Sequence, residues 1–308
     1  MDFSALLSKL VILFTMMLVG YFCAKGKILD PDFTKSASWL TLNVFMSSSI
    51  INAVTAKSIE MNFREVLVIL GVAALSLVLM YAVSRVLVEL LPFPPERKNL
   101  LELLMSVTNN MFLGLPVAVA IFGDGPAALY MSLSCLPFNA ILYTYGVSRL
   151  RGQKNLRPAD FLRSVLSPPL IATLIAILLL VCPIRVPSVA VELISTLSGA
   201  TVPVSMLVVG ASLGRVSLLA AFREKSLYFV VFERLILMPV IVWGVLMLMN
   251  VERVLRGTMV IMAGCATGVA VTALAITYGK DGEYTSQGIL MSTLLSMVTM
   301  PLMAYFLL

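Results

Sequence analysis

Two amides set beside a glycine and a proline inside an apolar stretch, Thr108-Asn109-Asn110-Met111-Phe112-Leu113-Gly114-Leu115-Pro116, are the residues of this chain best suited to chemistry. The chemistry is recognition rather than bond making. An asparagine amide both donates and accepts hydrogen bonds. Pro116 lacks the N–H that its helical position needs and its ring crowds the preceding turn, so a helix carrying it is expected to break or kink there. A broken helix in lipid leaves N–H groups at one half and carbonyls at the other, all of which need partners. The N–H end carries partial positive charge suited to a carboxylate. A second stretch, Gly264-Cys265-Ala266-Thr267-Gly268 followed by Thr272, offers a matching interruption. Asn109, Asn110, Gly114, Pro116, Thr267 and Gly268 are therefore candidate solute-binding residues. Asn43, beside Ser47-Ser48-Ser49, and Asn139, near Tyr143, are further candidates that would serve equally as hydrogen-bonding links between helices.

The surrounding chain is built for lipid. Of its 308 residues, 60% are apolar and 12% charged, against about 25% charged in a soluble domain. Apolar runs of the roughly 20 residues that a transmembrane helix needs follow one another with short connections, leaving no room for a soluble domain. Read between charged and Pro/Gly-rich punctuation, they predict ten helices, over 5–24, 36–56, 65–90, 98–121, 127–149, 165–182, 189–213, 227–249, 255–278 and 285–307. The expected fold class is an all-α membrane protein. The first run reads as a retained helix and not a signal peptide, because Asp2 stands where a basic cluster belongs and Phe22-Cys23-Ala24-Lys25 is a poor cleavage site.

Lys and Arg sort the connections by side. Those after odd-numbered helices hold fifteen, and those after even-numbered helices hold only Lys57, Arg64, Arg185, Arg253 and Arg256. By the positive-inside rule the odd connections are cytoplasmic and both termini lie outside. These loops also account for the net charge of +6, so no nucleic-acid partner is implied. The longest hydrophilic stretch, Arg149 to Ser167, falls mid-chain and suggests a first half over 1–149, a cytoplasmic linker over 150–164 and a second half over 165–308. The halves echo one another: Ala120-Ile121-Phe122-Gly123-Asp124-Gly125 resembles Ala275-Ile276-Thr277-Tyr278-Gly279-Lys280-Asp281-Gly282, and Met131-Ser132 returns as Met291-Ser292. An offset of about 155 to 160 residues is what an internal repeat of half the chain requires. Five helices per half is an odd number, so the second repeat must be inserted inverted, a design of many secondary transporters whose solute binds near the midplane where equivalent helices are interrupted.

Other chemistries are short of parts. There is no histidine, which removes His-based catalysis, haem ligation and His relays. Cys23, Cys135, Cys182 and Cys265 are isolated, with no spacing that suggests zinc or redox work. No metal, cofactor or catalytic residue is expected. No carboxylate falls near the centre of a predicted helix. Glu233 and Arg234 are the deepest charges; as neighbours they do not face one another, so each is expected to pair elsewhere, at the cytoplasmic third of its helix, with its role left open. Glu102, Glu192, Lys9 and Arg85 lie near helix ends, where they can snorkel.

Several motifs recur in order along the chain: Asn109 to Gly125, Ser167-Pro168-Pro169-Leu170-Ile171, Pro203 to Leu213 (PVSMLVVGASL), Glu233-Arg234-Leu235 with Pro239, Tyr278-Gly279, and Ser292 to Pro301 (STLLSMVTMP). Together they resemble a bacterial member of the auxin efflux carrier family. The resemblance implies a fold of two inverted five-helix repeats, similar to the sodium/proton antiporters and bile acid symporters. Helices one, two, six and seven would form a scaffold, and helices three to five and eight to ten a mobile transport unit in which broken helices four and nine cross. It also implies a homodimer as in plant members, a small organic acid as substrate, and a bacterial cytoplasmic (inner) membrane location. Family members commonly carry a proline in the helix nine crossing, where this chain has Gly268, and another in helix two, where it has Ser47 to Ser49. No charged pair like that of plant members sits in helix three. The function expected is alternating-access efflux of a small organic anion, the alternatives being an ion-coupled carboxylate uptake symporter, a channel or a non-transporting sensor. An intramembrane enzyme would need a cluster of catalytic groups at one depth, for which no motif is present.

Overall fold

The computed structural model of the chain describes residues 3–55, 62–123, 125–151, 168–182, 186–214 and 217–308. The expected linker over 150–164 lies outside them from residue 152 onward, as do Asp124, Ser167, and the loop cations Lys57, Arg185 and Arg215. Among the described residues every regular element is helical. Helix α1 spans Phe3–Lys25, α2 residues 31–55, α3 Phe63–Leu90, α4 Pro95–Ser106, α5 Asn110–Phe122 and α6 Pro126–Leu150. Helix α7 covers Pro168–Val181, α8 Ser188–Leu213, α9 Leu218–Arg223, α10 Lys225–Leu248, α11 Arg253–Gly264, α12 Ala270–Thr277 and α13 Gly282–Leu307. Among the described residues, six stretches are long and apolar enough to cross a membrane: α3, α6, α8, α10, α13 and Ser8–Lys25 of α1.

The starts and stops are local. Asn62 and Glu65 exchange bonds at the start of α3, each side chain accepting from the other's N–H at 2.9 and 3.0 Å, which is a capping box. Asp30, Glu252 and Asp281 accept first-turn N–H groups of α2, α11 and α13. Helices α5 and α12 end at Gly123 (φ 85°) and near Gly279 (φ 65°), left-handed positions that glycine takes without a Cβ penalty.

Residues 98–121 and 255–278, each expected as one span with an interruption inside it, are each two short helices with a break between them. The first break lies at 107–109, ahead of Pro116 and not at it. Pro116 cannot donate to the Phe112 carbonyl, and the chain there widens into a π-helical turn over Asn110–Gly114 that absorbs the missing bond without leaving the helix. The same device recurs in α10, where a π-helical turn at Glu233–Leu237 ends two residues before Pro239 and the Met238 N–H bonds back to the Glu233 carbonyl.

Packing divides the chain into two compact units, each assembled from segments far apart in sequence. One comprises Met1–Gly71, Met111–Leu136 and Val165–Arg215. In it, α1 and α8 touch backbone to backbone: a Cβ on Gly210 would run into the Met17 carbonyl oxygen, and one on Gly20 into that of Leu207. Small residues allow such close approach in lipid. The Thr201 hydroxyl of α8 donates to the Phe45 carbonyl in the π-helical turn of α2 (2.9 Å). The other unit comprises Val72–Asn110, Pro137–Ser164 and Val216–Leu308, and it contains both breaks.

Candidate functional site

Where α4 ends, Val107 turns extended (φ −85°, ψ 116°); where α11 ends, Cys265 does the same (φ −66°, ψ 153°). The two extended pieces meet side by side. Thr108 and Thr267 form an antiparallel bridge, closed by Asn109 N–H to the Ala266 carbonyl (2.9 Å) and Gly268 N–H to the Val107 carbonyl (3.0 Å). Backbone groups that leave a helix in hydrocarbon must be satisfied within the protein, and here each break satisfies the other. Close approach demands a residue without a side chain: a Cβ on Gly268 would lie 2.8 Å from the Thr108 carbonyl oxygen. Gly268 thus serves this close backbone contact.

The carbonyls at the ends of α4 and α11 are capped reciprocally. Thr108 Oγ1 donates to the Met262 carbonyl of α11 (2.7 Å), and Thr267 Oγ1 donates to the Leu104 carbonyl of α4 (2.7 Å). Ser292 Oγ of α13 accepts the Thr267 N–H (3.1 Å). Arg234 of α10 closes the arrangement: its Nε donates to the Cys265 carbonyl (2.7 Å) and its Nη1 to the Met105 carbonyl. Glu233 turns away, its Oε1 accepting from Ser84 of α3 (3.0 Å). Both charged residues are fully buried, and Arg234 sits close to the middle of the 24-residue helix α10. The π-helical turn imposed by Pro239 shifts the helical phase, so ordinary spacing did not reveal where Arg234 would reach.

Of the residues singled out from sequence, Asn109, Thr267 and Gly268 come together at the bridge, and Asn110 follows directly; Asn109 and Asn110 are 5% and 4% exposed. Gly114 and Pro116 lie further along α5, in the other unit. Asn43 also belongs to that other unit, and its amide donates to the Trp39 carbonyl of its own helix (2.7 Å). Asn139 is half-buried on α6; among the described residues no hydrogen bond ties it to the bridge. Glu102 does not snorkel. Its side chain is fully buried and gathers Arg149 Nε (3.0 Å), Arg85 Nη1 (3.3 Å) and the Tyr145 hydroxyl. Arg234, Thr108 and Ser292 are the bridge residues that the sequence reading left out of its site. An arginine inside a span, five residues before a proline, was the available signal.

A family model described as membrane transport protein matches residues 5–304. The chain belongs to the auxin efflux carrier family. That family consists of membrane transporters and not of enzymes. The chain is 25% identical to an uncharacterized transporter of the archaeon Methanocaldococcus jannaschii, over 97% of both chains. It is 28% identical to an uncharacterized transporter of Methanothermobacter thermautotrophicus, over 64% of both. This auxin efflux carrier homologue is therefore a multi-pass membrane transporter, and the bridge between its two broken helices lies within one packed unit.

Proposed function

We propose that the protein is a secondary carrier that exports a small organic acid anion across the cytoplasmic membrane by alternating access. The observation that carries this reading is the pairing of two interrupted helices at Thr108 and Thr267, the kind of arrangement on which transporters with inverted repeats build a solute site. The substrate carboxylate would be held by the Asn109 and Asn110 amides and by the first-turn N–H groups of α12, whose dipole end is positive. Ten spans in two inverted repeats are part of the proposal. It is supported by the 159-residue separation of the bridged threonines, by the left-handed Gly123 and Gly279 that follow the second half-helix of each pair, and by the Lys/Arg bias that sets both termini outside. Because the hydrogen bonds of the bridge lie inside one unit, that site can move as a rigid piece.

An inside-negative potential drives an anion outward by about 2.3 kcal/mol per charge per 100 mV, so export needs no coupling ion, whereas accumulation would. Proteoliposomes loaded with radiolabelled mono- and dicarboxylates test this. Saturable efflux of at least one carboxylate, accelerated by an inside-negative potassium-diffusion potential, is expected. Flux that appears only with an imposed proton or sodium gradient would favour the symporter instead, and absence of saturable flux for every carboxylate would count against a carrier of organic acids.

A further inference from the structure

Arg234 is fully buried, yet among the described residues it belongs to none of the ion pairs, which all lie among Arg85, Glu89, Arg97, Lys98, Glu102, Arg149 and Glu224. Its guanidinium donates instead to the Cys265 and Met105 carbonyls. Those carbonyls stand at the C-terminal ends of α11 and α4, and each helix end carries roughly half a negative charge. Two such ends make about one unit of negative charge, matched by one guanidinium. The threonine hydroxyls already serve Leu104 and Met262, so the carbonyls left to Arg234 are those that a protein without it would present, unpaired, to an ion. Nη2 is buried without a hydrogen-bond partner among the described residues, so what the guanidinium supplies here is its two carbonyl bonds and its charge.

We infer that Arg234 is a resident cation for the two helix ends, occupying a carbonyl site that would otherwise take a small metal cation. Its consequence for coupling rests on the carrier reading: transport through this bridge does not depend on sodium. The site itself is testable without any substrate. Wild-type protein and the Arg234→Ala, Arg234→Lys and Arg234→Met variants are purified in choline chloride and their Tm is measured with choline, sodium or guanidinium at equal millimolar concentration. Wild type is expected to melt at one temperature in all three. Arg234→Ala is expected to melt roughly 5–10 °C lower in choline, from the loss of two charge-assisted bonds. It should regain at least half of that with guanidinium and a smaller part with sodium. Arg234→Lys should melt above Arg234→Met, because an ammonium keeps the charge without the reach.

An Arg234→Ala protein no more responsive to guanidinium and sodium than wild type, or a wild type that sodium itself stabilises, overturns the inference. If the alanine variant does not fold in any salt, the comparison of lysine with methionine decides, and equal Tm values overturn it. Because the readout contains no solute, an absence of carboxylate flux would sink the carrier reading and leave this result standing, and the reverse holds as well.

Discussion

Gly268→Val is expected to reduce flux by about tenfold or more, the change that roughly 1.4 kcal/mol produces, and to lower stability as well. A Cβ at this position meets the Thr108 carbonyl oxygen at 2.8 Å and its carbon at 3.1 Å. Those are backbone atoms held by the Gly268 to Val107 and Asn109 to Ala266 bonds, so relief requires the two breaks to separate. Each buried polar group orphaned by separation costs about 1–3 kcal/mol. Gly264→Ala supplies the contrast, four residues away. There the added Cβ meets the Met303 Sδ at 2.5 Å, the movable end of a flexible side chain, and a loss within about 1 kcal/mol is expected. Thermal stability and flux measured on both variants separate a backbone contact from simple crowding; equal effects would mean that the bridge is not what Gly268 serves.

Glu102→Ala is expected to be the most damaging loss of a charge outside the bridge. Its carboxylate is wholly buried and joins Arg149, Arg85 and Tyr145. Removing one partner of a buried ionic cluster costs about 3–5 kcal/mol, but the Arg85 and Arg149 side chains are 35% and 24% exposed and water can take over part of their hydration. A cost below that range, roughly 2–3 kcal/mol, is therefore expected, read as a Tm several degrees lower. A second substitution, Arg149→Leu, should restore part of the loss, since it removes one of the cations left unpaired. A double variant that melts below Glu102→Ala would show that Arg149 acts through other partners.

The helical segments were legible because a lipid-facing chain must alternate long apolar runs with charged or glycine- and proline-rich turns, and the residues do so. The breaks were legible for a similar reason. Two adjacent asparagines and a Gly-Cys-Ala-Thr-Gly run have no cause to sit inside an apolar span unless the helix opens there. What composition does not carry is which carbonyl each polar group reaches. Thr108 and Thr267 cap one another's helices across about half the chain, and nothing local in either tripeptide specifies its distant partner. Pro116 drew the break to itself in the sequence reading, because a proline's missing N–H is visible and a π-helical turn that absorbs it is not. The same kind of turn before Pro239 carries Arg234 to the helix ends. Glu102 resembled a surface charge for lack of any sign that Arg85 and Arg149, on two other helices, converge on it. Asn43 shows the same limit from the other side: its place in a polar cluster does not announce that its amide donates to the Trp39 carbonyl of its own helix.

The pairing of the two breaks is open to direct measurement by a disulfide. Thr108 and Thr267 face one another without a hydrogen bond directly between them, a register that sets Cα atoms about 4.5 Å apart, inside disulfide range. In a chain whose four native cysteines are replaced by alanine, Thr108→Cys with Thr267→Cys should lose both free thiols under mild oxidation, read by mass-tagged maleimide. The control pair Thr108→Cys with Thr277→Cys, at the far end of α12, should keep them. A Thr108→Cys/Thr267→Cys protein that stays fully reduced, or a control that oxidises as readily, would contradict the meeting of the two helix ends.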